Sequence, residues 1–334
     1  MEHYPFPFPP LPEQQRIAEK LESLLGKIKE AKALLDEIPE ILQSFRQTVL
    51  AAACSGRLTE DWRQMNRNIE PASELLRKID SDMDQTNRRT ELQRKNVVGF
   101  YTAPAKWIWR SFSDICVKIF DGTHFSPKNG PVGDFMYVTA KNIKPWGIDL
   151  ADITYVSKED HQRIHSRSDV KYRDVLYIKD GATAGIAAVN YFKDEFSLLS
   201  SVGVFRVNPE YILPEYVSIF LNAPSTRAAM LANVTGVAIT RLTLTKLNAS
   251  SICLPPFLEQ QEIVRRVEFL FRKADEFEAQ YKKAMELIET LPEIILSKAF
   301  RGELVPQNPS DEPASAILDR IIGEERVSRG KRVQ

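Results

Sequence analysis

The chain has 334 residues, 43% of them hydrophobic and 27% charged, a composition that suits two or three folded units. Lysine plus arginine and aspartate plus glutamate number 45 each, so no overall charge draws the protein to nucleic acid, and any such contact must come from local patches. No apolar run approaches the roughly 20 residues that cross a bilayer, and no basic segment followed by an apolar one marks an export signal, so the expected location is cytoplasmic, with no membrane partner.

Residues 1–12 read as an extended proline-rich arm, since each proline lacks an amide donor and pushes its predecessor toward extended geometry. Residues 13–58 read as a long helix. Its apolar positions alternate steps of four and three through Leu21, Leu24, Ile28, Leu35, Leu42, Phe45 and Val49, the seam of a helix wound against another helix. Pro39 should kink or break it at the carbonyl of Leu35, and Gly56 suits a left-handed stop. Residues 59–103 read as a short helix opening at Glu70-Pro71-Ala72-Ser73, followed by a solvated, strongly charged linker over Asp80 to Asn96. Cys54, Cys116 and Cys253 are odd in number and outside any CxxC spacing, which predicts buried, reduced thiols.

The character changes over residues 104–254. Short β-type runs such as Val175-Leu176-Tyr177-Ile178 and Val202-Gly203-Val204-Phe205-Arg206-Val207 alternate with glycine, asparagine and proline turns, and a helix opens at Pro214; the expectation is one mixed α/β domain. Four of its loops are polar, glycine-bearing and basic: 121–128, 139–144, 179–185 and 235–241. They offer lysine and arginine for phosphate or guanine, asparagine for adenine, and threonine and backbone amides where glycine permits close approach. The candidate DNA-contacting residues are Thr123, His124, Lys128, Lys141, Asn142, Lys144, Lys179, Thr183, Thr240 and Arg241.

Residues 255–304 return to the opening pattern. Pro255-Pro256-Phe257-Leu258-Glu259-Gln260-Gln261-Glu262-Ile263 repeats Pro9-Pro10-Leu11-Pro12-Glu13-Gln14-Gln15-Arg16-Ile17, about 246 residues away, far beyond the roughly 20 to 50 of a solenoid. The second helix carries the seam in the same register through Val267, Leu270, Phe277, Tyr281, Ile288, Leu291 and Ile295, and Pro292 should kink or break it at the carbonyl of Ile288. Residues 305–334 read as a tail with a short helix, because Glu312-Pro313-Ala314-Ser315 spells Glu70-Pro71-Ala72-Ser73 again. The fold class is therefore α+β: one mixed α/β domain plus two long helices pairing as an antiparallel coiled coil.

No catalytic or cofactor signature accompanies this plan. Gly181 to Gly185 is neither a Walker loop nor a dinucleotide fingerprint, and neither Pro-Pro pair follows the Asn or Asp with which amino-methyltransferases hold a base. His161 and His165 stand four apart but no carboxylate-bearing zinc motif surrounds them, so no metal is expected. An adaptor or scaffold that binds protein through its coiled coil and carries an inserted α+β domain would explain the seams, though not the polar loops.

Leu254 to Val264, the helix after it and Ser297-Lys298-Ala299-Phe300-Arg301-Gly302-Glu303-Leu304 closely resemble the conserved regions of type I restriction-modification specificity subunits. The middle resembles their target recognition domain at Lys106-Trp107-Ile108-Trp109, Asp121-Gly122-Thr123-His124, Lys141-Asn142-Ile143, Asp174 to Ala182 and Thr235-Gly236. The resemblance implies a non-catalytic subunit that reads half of an interrupted site in double-stranded DNA. It also implies that the helices serve as spacer and as docking surface for methyltransferase subunits, with restriction subunits joining through the complex. No cofactor is then expected in this chain; S-adenosylmethionine and ATP belong to the partner subunits. With a single recognition domain flanked by both helical regions, a second reader is expected, supplied by a homodimer or by another specificity fragment.

Overall fold

The computed structural model describes residues 7–85, 97, 99–145, 147–232 and 242–330. Its helices are α1 (Leu11–Asp36), α2 (Ile38–Cys54), α3 (Glu60–Met65), α4 (Ala72–Gln85), α5 (Phe112–Ile115), α6 (Lys158–His165), α7 (Pro214–Asn222), α8 (Pro224–Ala232), α9 (Leu244–Ala249), α10 (Phe257–Phe300) and α11 (Ala314–Gly330). Its strands are β1 (Ile108–Ser111), β2 (Cys116–Asp121), β3 (Phe135–Val138), β4 (Ile143–Lys144), β5 (Gly147–Ile148), β6 (Thr154–Val156), β7 (Val175–Ile178), β8 (Ala187–Val189), β9 (Ser197–Leu198), β10 (Val202–Val207) and β11 (Ser251–Leu254). Among the described residues no helix is long and apolar enough to cross a membrane.

The chain divides into a unit of residues 1–43 with 273–334 and a unit of residues 44–272, so the boundaries fall inside the long helical segments rather than at their ends. In the first unit α1 and the distal part of α10 run antiparallel. Ile17 and Leu21 line an apolar cavity with Leu296 and Ala299, Lys32 lies 3.9 Å from Glu289, and Arg16 pairs with Asp311 at 2.7 Å. Leu21, Leu24, Ile28, Leu35, Tyr281, Ile288 and Ile295 are half-buried, and Leu42 is buried. Three residues assigned to the seam are corrected: Phe45, Phe277 and Leu291 are exposed.

The two prolines behave differently. The helix breaks just before Pro39, with Glu37 ending α1 and Ile38 starting α2. Pro292 lies inside α10, which is continuous over 44 residues, so of the kink or break expected there no break is present. A proline removes one amide bond from the ladder, and a long helix already propagating on both sides tolerates that loss.

In the second unit, β2, β10, β7 and β8 form an antiparallel sheet in which β10, β7 and β8 are buried on both faces. Alternate residues of a strand point to opposite faces. Val175, Tyr177, Ala187, Val189, Phe205 and Val207 accordingly enter one core, and Leu176, Ile178, Ala188, Val202 and Val204 the other. This is why the runs are continuously apolar instead of alternating. The first core is closed by α7, the end of α2, the start of α10 and the β1–β11 pair; the second holds Val138, Ile143, Phe196 and Leu198. The segment read as a short helix and linker is corrected in part: α4 runs to Gln85 and buries Ala72, Leu75, Leu76 and Ile79 in the first core. The three cysteines are free and buried, and burial pushes the Cys253 thiol up to about 12.

The repeated Pro-Pro-x-x-Glu-Gln motif has an internal use in its second copy. Glu259 is fully buried, and its carboxylate accepts from Thr59 Oγ1 at 2.7 Å, Arg63 Nη1 at 2.6 Å and Trp107 Nε1 at 2.8 Å. Gln260 is buried beside it; its Oε1 accepts from Leu213 N at 3.0 Å and its Nε2 donates to Pro255 O at 3.2 Å. The motif thereby ties the residues after α2, the entry to the sheet domain and the start of α10 to one point. In the first copy Gln14 Nε2 donates to Pro9 O at 2.8 Å, the same local bond.

Candidate nucleic-acid interface

The register of the sheet brings the polar loops together. β2 and β7 both pair antiparallel with β10, Asp121 opposite Gly203 and Ile178 opposite Val202, so they run parallel to each other and end side by side. Loops 121–128 and 179–185 therefore leave the same end of the sheet, on either side of the start of β10. β3 pairs parallel with β9, Val138 opposite Leu198, so loop 139–144 starts where β9 ends.

The turn joining β9 to β10 sits between these three loops and fastens them by its backbone. Thr123 N donates to Leu198 O at 2.7 Å and Ser200 N to Thr123 O at 2.8 Å; Leu199 N donates to Val138 O at 3.1 Å, and Lys179 N to Ser201 O at 2.9 Å. Gly122 is required by this packing, because a Cβ there would fall 2.2 Å from Leu198 O. Gly185, at φ +95°, turns the 179–185 loop back so that its amide reaches Ile178 O at 2.8 Å. Of the fourth loop, Thr240 and Arg241 lie outside the described residues, but the residue after it, Leu242, donates from N to Lys179 O at 2.8 Å.

The candidate contact residues divide by exposure. His124, Lys128, Lys141 and Thr183 are exposed on these loops, and Lys144 is half-buried in the β4–β5 hairpin. Lys179, Asn142 and Thr123, candidates for DNA contact in the sequence, are instead buried. Lys179 Nζ lies 3.0 Å from Asp121 Oδ2, with side-chain exposures of 2% and 10%, and Asp121 Oδ1 takes His124 Nε2 at 3.3 Å. Both ends of the Asn142 amide are occupied, Oδ1 by Thr139 N at 3.0 Å and Nδ2 by Asp149 O at 3.2 Å. Thr123 Oγ1 accepts from Phe125 N at 3.3 Å. These residues shape the loops that carry the exposed cations. A spacing of residue types cannot distinguish the two roles, because a lysine beside glycine suits a phosphate and a buried aspartate equally well. The Leu198–Ser201 turn, which organises the whole face, carries no sequence signal beyond two serines between apolar runs.

A rigid sheet end that displays lysine, histidine and threonine on glycine-shaped loops is chemically equipped to bind phosphate oxygens and base edges. Residues 104–287 match the family model of the type I restriction modification DNA specificity domain. The chain belongs to this family. It is 32% identical over 343 residues to the type I restriction enzyme EcoBI specificity subunit of Escherichia coli, a match covering 98% of this chain and 65% of that protein. It is 30% identical to the EcoKI specificity subunit of Escherichia coli strain K12, again over 98% of this chain and 65% of that one. The chain thus spans about 65% of the length of these relatives. Among solved structures, the HsdS subunit from Thermoanaerobacter tengcongensis shares the fold with a TM-score of 0.51 at 18% identity, over 89% of this chain and 60% of that one. A chain from a structure on complex assembly of the type I R-M system does so at 0.57 and 17%, over 88% and 60%.

Proposed function

We propose that this chain is the DNA-reading specificity component of a type I restriction-modification complex and is itself non-catalytic. The observation that carries this reading is the convergence of the 121–128, 139–144 and 179–185 loops on the β9–β10 turn, which gathers His124, Lys128 and Lys141 at one end of the sheet. Its partners are double-stranded DNA, methyltransferase subunits that dock on the long helices, and restriction subunits that join through the complex. The chain needs no cofactor, S-adenosylmethionine and ATP being bound by the partner subunits. A single half-site offers few base contacts, each worth about 1 to 3 kcal/mol, so useful specificity calls for a second reader, from a homodimer or another specificity chain.

The test is DNA binding by the purified chain with and without its methyltransferase, followed by mapping of methylated sites in cells. Specific binding that depends on the partner, with no S-adenosylmethionine bound by the chain alone, is the expected result; failure to bind DNA even in the complex would instead favour the scaffold reading. Lys128→Ala with Lys141→Ala is expected to weaken binding to all sequences alike and to reduce the log–log salt slope by roughly 0.9 for each phosphate that is no longer neutralised. An unchanged slope counts against these two lysines as phosphate ligands.

A further inference from the structure

His161 and His165 lie four residues apart on α6, a spacing that sets both imidazoles on one face of the helix. The sequence around them supplies no carboxylate with metal-site spacing, but the fold does. The connection between β8 and β9 brings Glu195, 34 residues beyond His161, against that face. His161 Nε2 is 3.2 Å from Glu195 Oε2, His165 Nε2 is 3.7 Å from Glu195 Oε1, and one ligand atom from each of the three residues lies within 4.8 Å of the others.

We propose that His161, His165 and Glu195 bind a divalent transition-metal ion of the zinc class, which clamps α6 to the β8–β9 connection. Four ligands placed tetrahedrally at about 2.0 to 2.2 Å from zinc are about 3.3 to 3.6 Å apart, so the three donor atoms, which lie within 4.8 Å of one another, need only draw in a little around an ion. Two imidazoles and a carboxylate are a donor set that suits zinc, and a water completes the coordination from the open side, where Glu195 is 59% exposed.

The surroundings favour an ion over a plain hydrogen bond. His161 is buried, its ring stacked on Phe135 with centroids 3.7 Å apart and planes 4° from parallel, so its direction is set before anything binds. Its Nδ1 is 3.1 Å from Ser197 Oγ, a partner able to accept from Nδ1–H and so present the Nε2 lone pair to a metal. His165 turns its Nε2 to the same carboxylate, while its Nδ1 is buried without a hydrogen-bond partner. The ion would have structural consequences for the loop face, because α6 also carries Arg163, whose guanidinium stacks 3.7 Å over Phe125 of the 121–128 loop. Metal binding at these three residues does not depend on the DNA-reading role.

The experiment uses the tag-free full chain, stripped with a chelator, dialysed against zinc and then against metal-free buffer, and analysed by mass spectrometry for bound metal. About one zinc per chain is expected in the wild type, with a rise in melting temperature on the order of 5 °C at saturating zinc. Glu195→Gln and His165→Gln should each abolish retention of the ion, whereas Glu159→Gln on the same helix should not. Glu195→Gln alters an exposed side chain, and its metal-free melting temperature, matching that of metal-free wild type, separates loss of binding from loss of fold. Cobalt(II) in place of zinc should give visible absorption that both site variants lack. A chain that retains no metal, or one whose metal survives both substitutions, overturns the proposal.

Discussion

Glu259→Ala is expected to destabilise the protein by about 3 to 5 kcal/mol, the usual consequence of removing one partner from a buried charge pair. Both carboxylate oxygens are in use: Oε1 receives Thr59 and Arg63, and Oε2 receives the Trp107 indole. Truncation leaves the guanidinium of Arg63, whose side chain is 21% exposed, without its counter-ion, and a buried indole N–H without an acceptor. Thermal unfolding followed by circular dichroism should show the melting temperature fall by about 10 °C, at roughly 2 to 4 °C per kcal/mol for a cooperative unit of this size. Glu13→Ala is the internal control. Glu13 holds the same place in the first copy of the motif and is also buried, but Thr59, Arg63 and Trp107 gather on Glu259. Its loss should cost less than half as much, and equal losses at the two positions would refute the clamp.

Lys179→Ala is expected to act on stability, again by about 3 to 5 kcal/mol, because it leaves the Asp121 carboxylate, 10% exposed, without its counter-ion. Lys141→Ala, on an exposed loop position, should stay within about 0.5 kcal/mol of wild type in urea denaturation while weakening DNA binding. The two lysines thus separate two meanings of a basic loop. Pairing Lys179→Met with Asp121→Asn removes both charges, and should restore more than half of the stability lost in Lys179→Ala, since a neutral pair of similar volume carries no uncompensated charge. If the alanine variant at 179 keeps full stability and loses DNA affinity, Lys179 is a contact residue after all and the internal ion pair is not what holds these loops.

Much of the architecture was legible along the chain because it is encoded locally. The two copies of the Pro-Pro motif, the seam through Leu21, Leu24 and Ile28, the runs at 175–178 and 202–207 and the proline opening α7 are patterns of adjacent residues, and helices and strands follow from such patterns. Pro39 and Pro292 mark the limit of that logic. Each takes one amide donor from a long helix, yet one helix breaks beside its proline and the other continues, so the proline by itself does not decide the outcome.

The polar loops were legible in the sequence, but which of their residues reach solvent was not. Asn142 and Lys179 have the chemistry of base and phosphate contacts, but Asn142 is bonded to the Thr139 amide and the Asp149 carbonyl and Lys179 is paired with Asp121, since an unpaired buried polar group is costly. The exposed set, His124, Lys128, Lys141 and Thr183, is what remains once those internal demands are met.

By itself the sequence determined the α+β class, the duplicated long helices and the polar loops, all of which rest on the order of neighbouring residues. Tertiary structure alone decided which groups meet at a distance: Glu259 with Thr59, 200 positions away, Glu195 with His161, and three loops on one turn between β9 and β10. The physical reason is that these meetings are set by strand register and by the closing of two cores on either side of the sheet, which no local pattern carries.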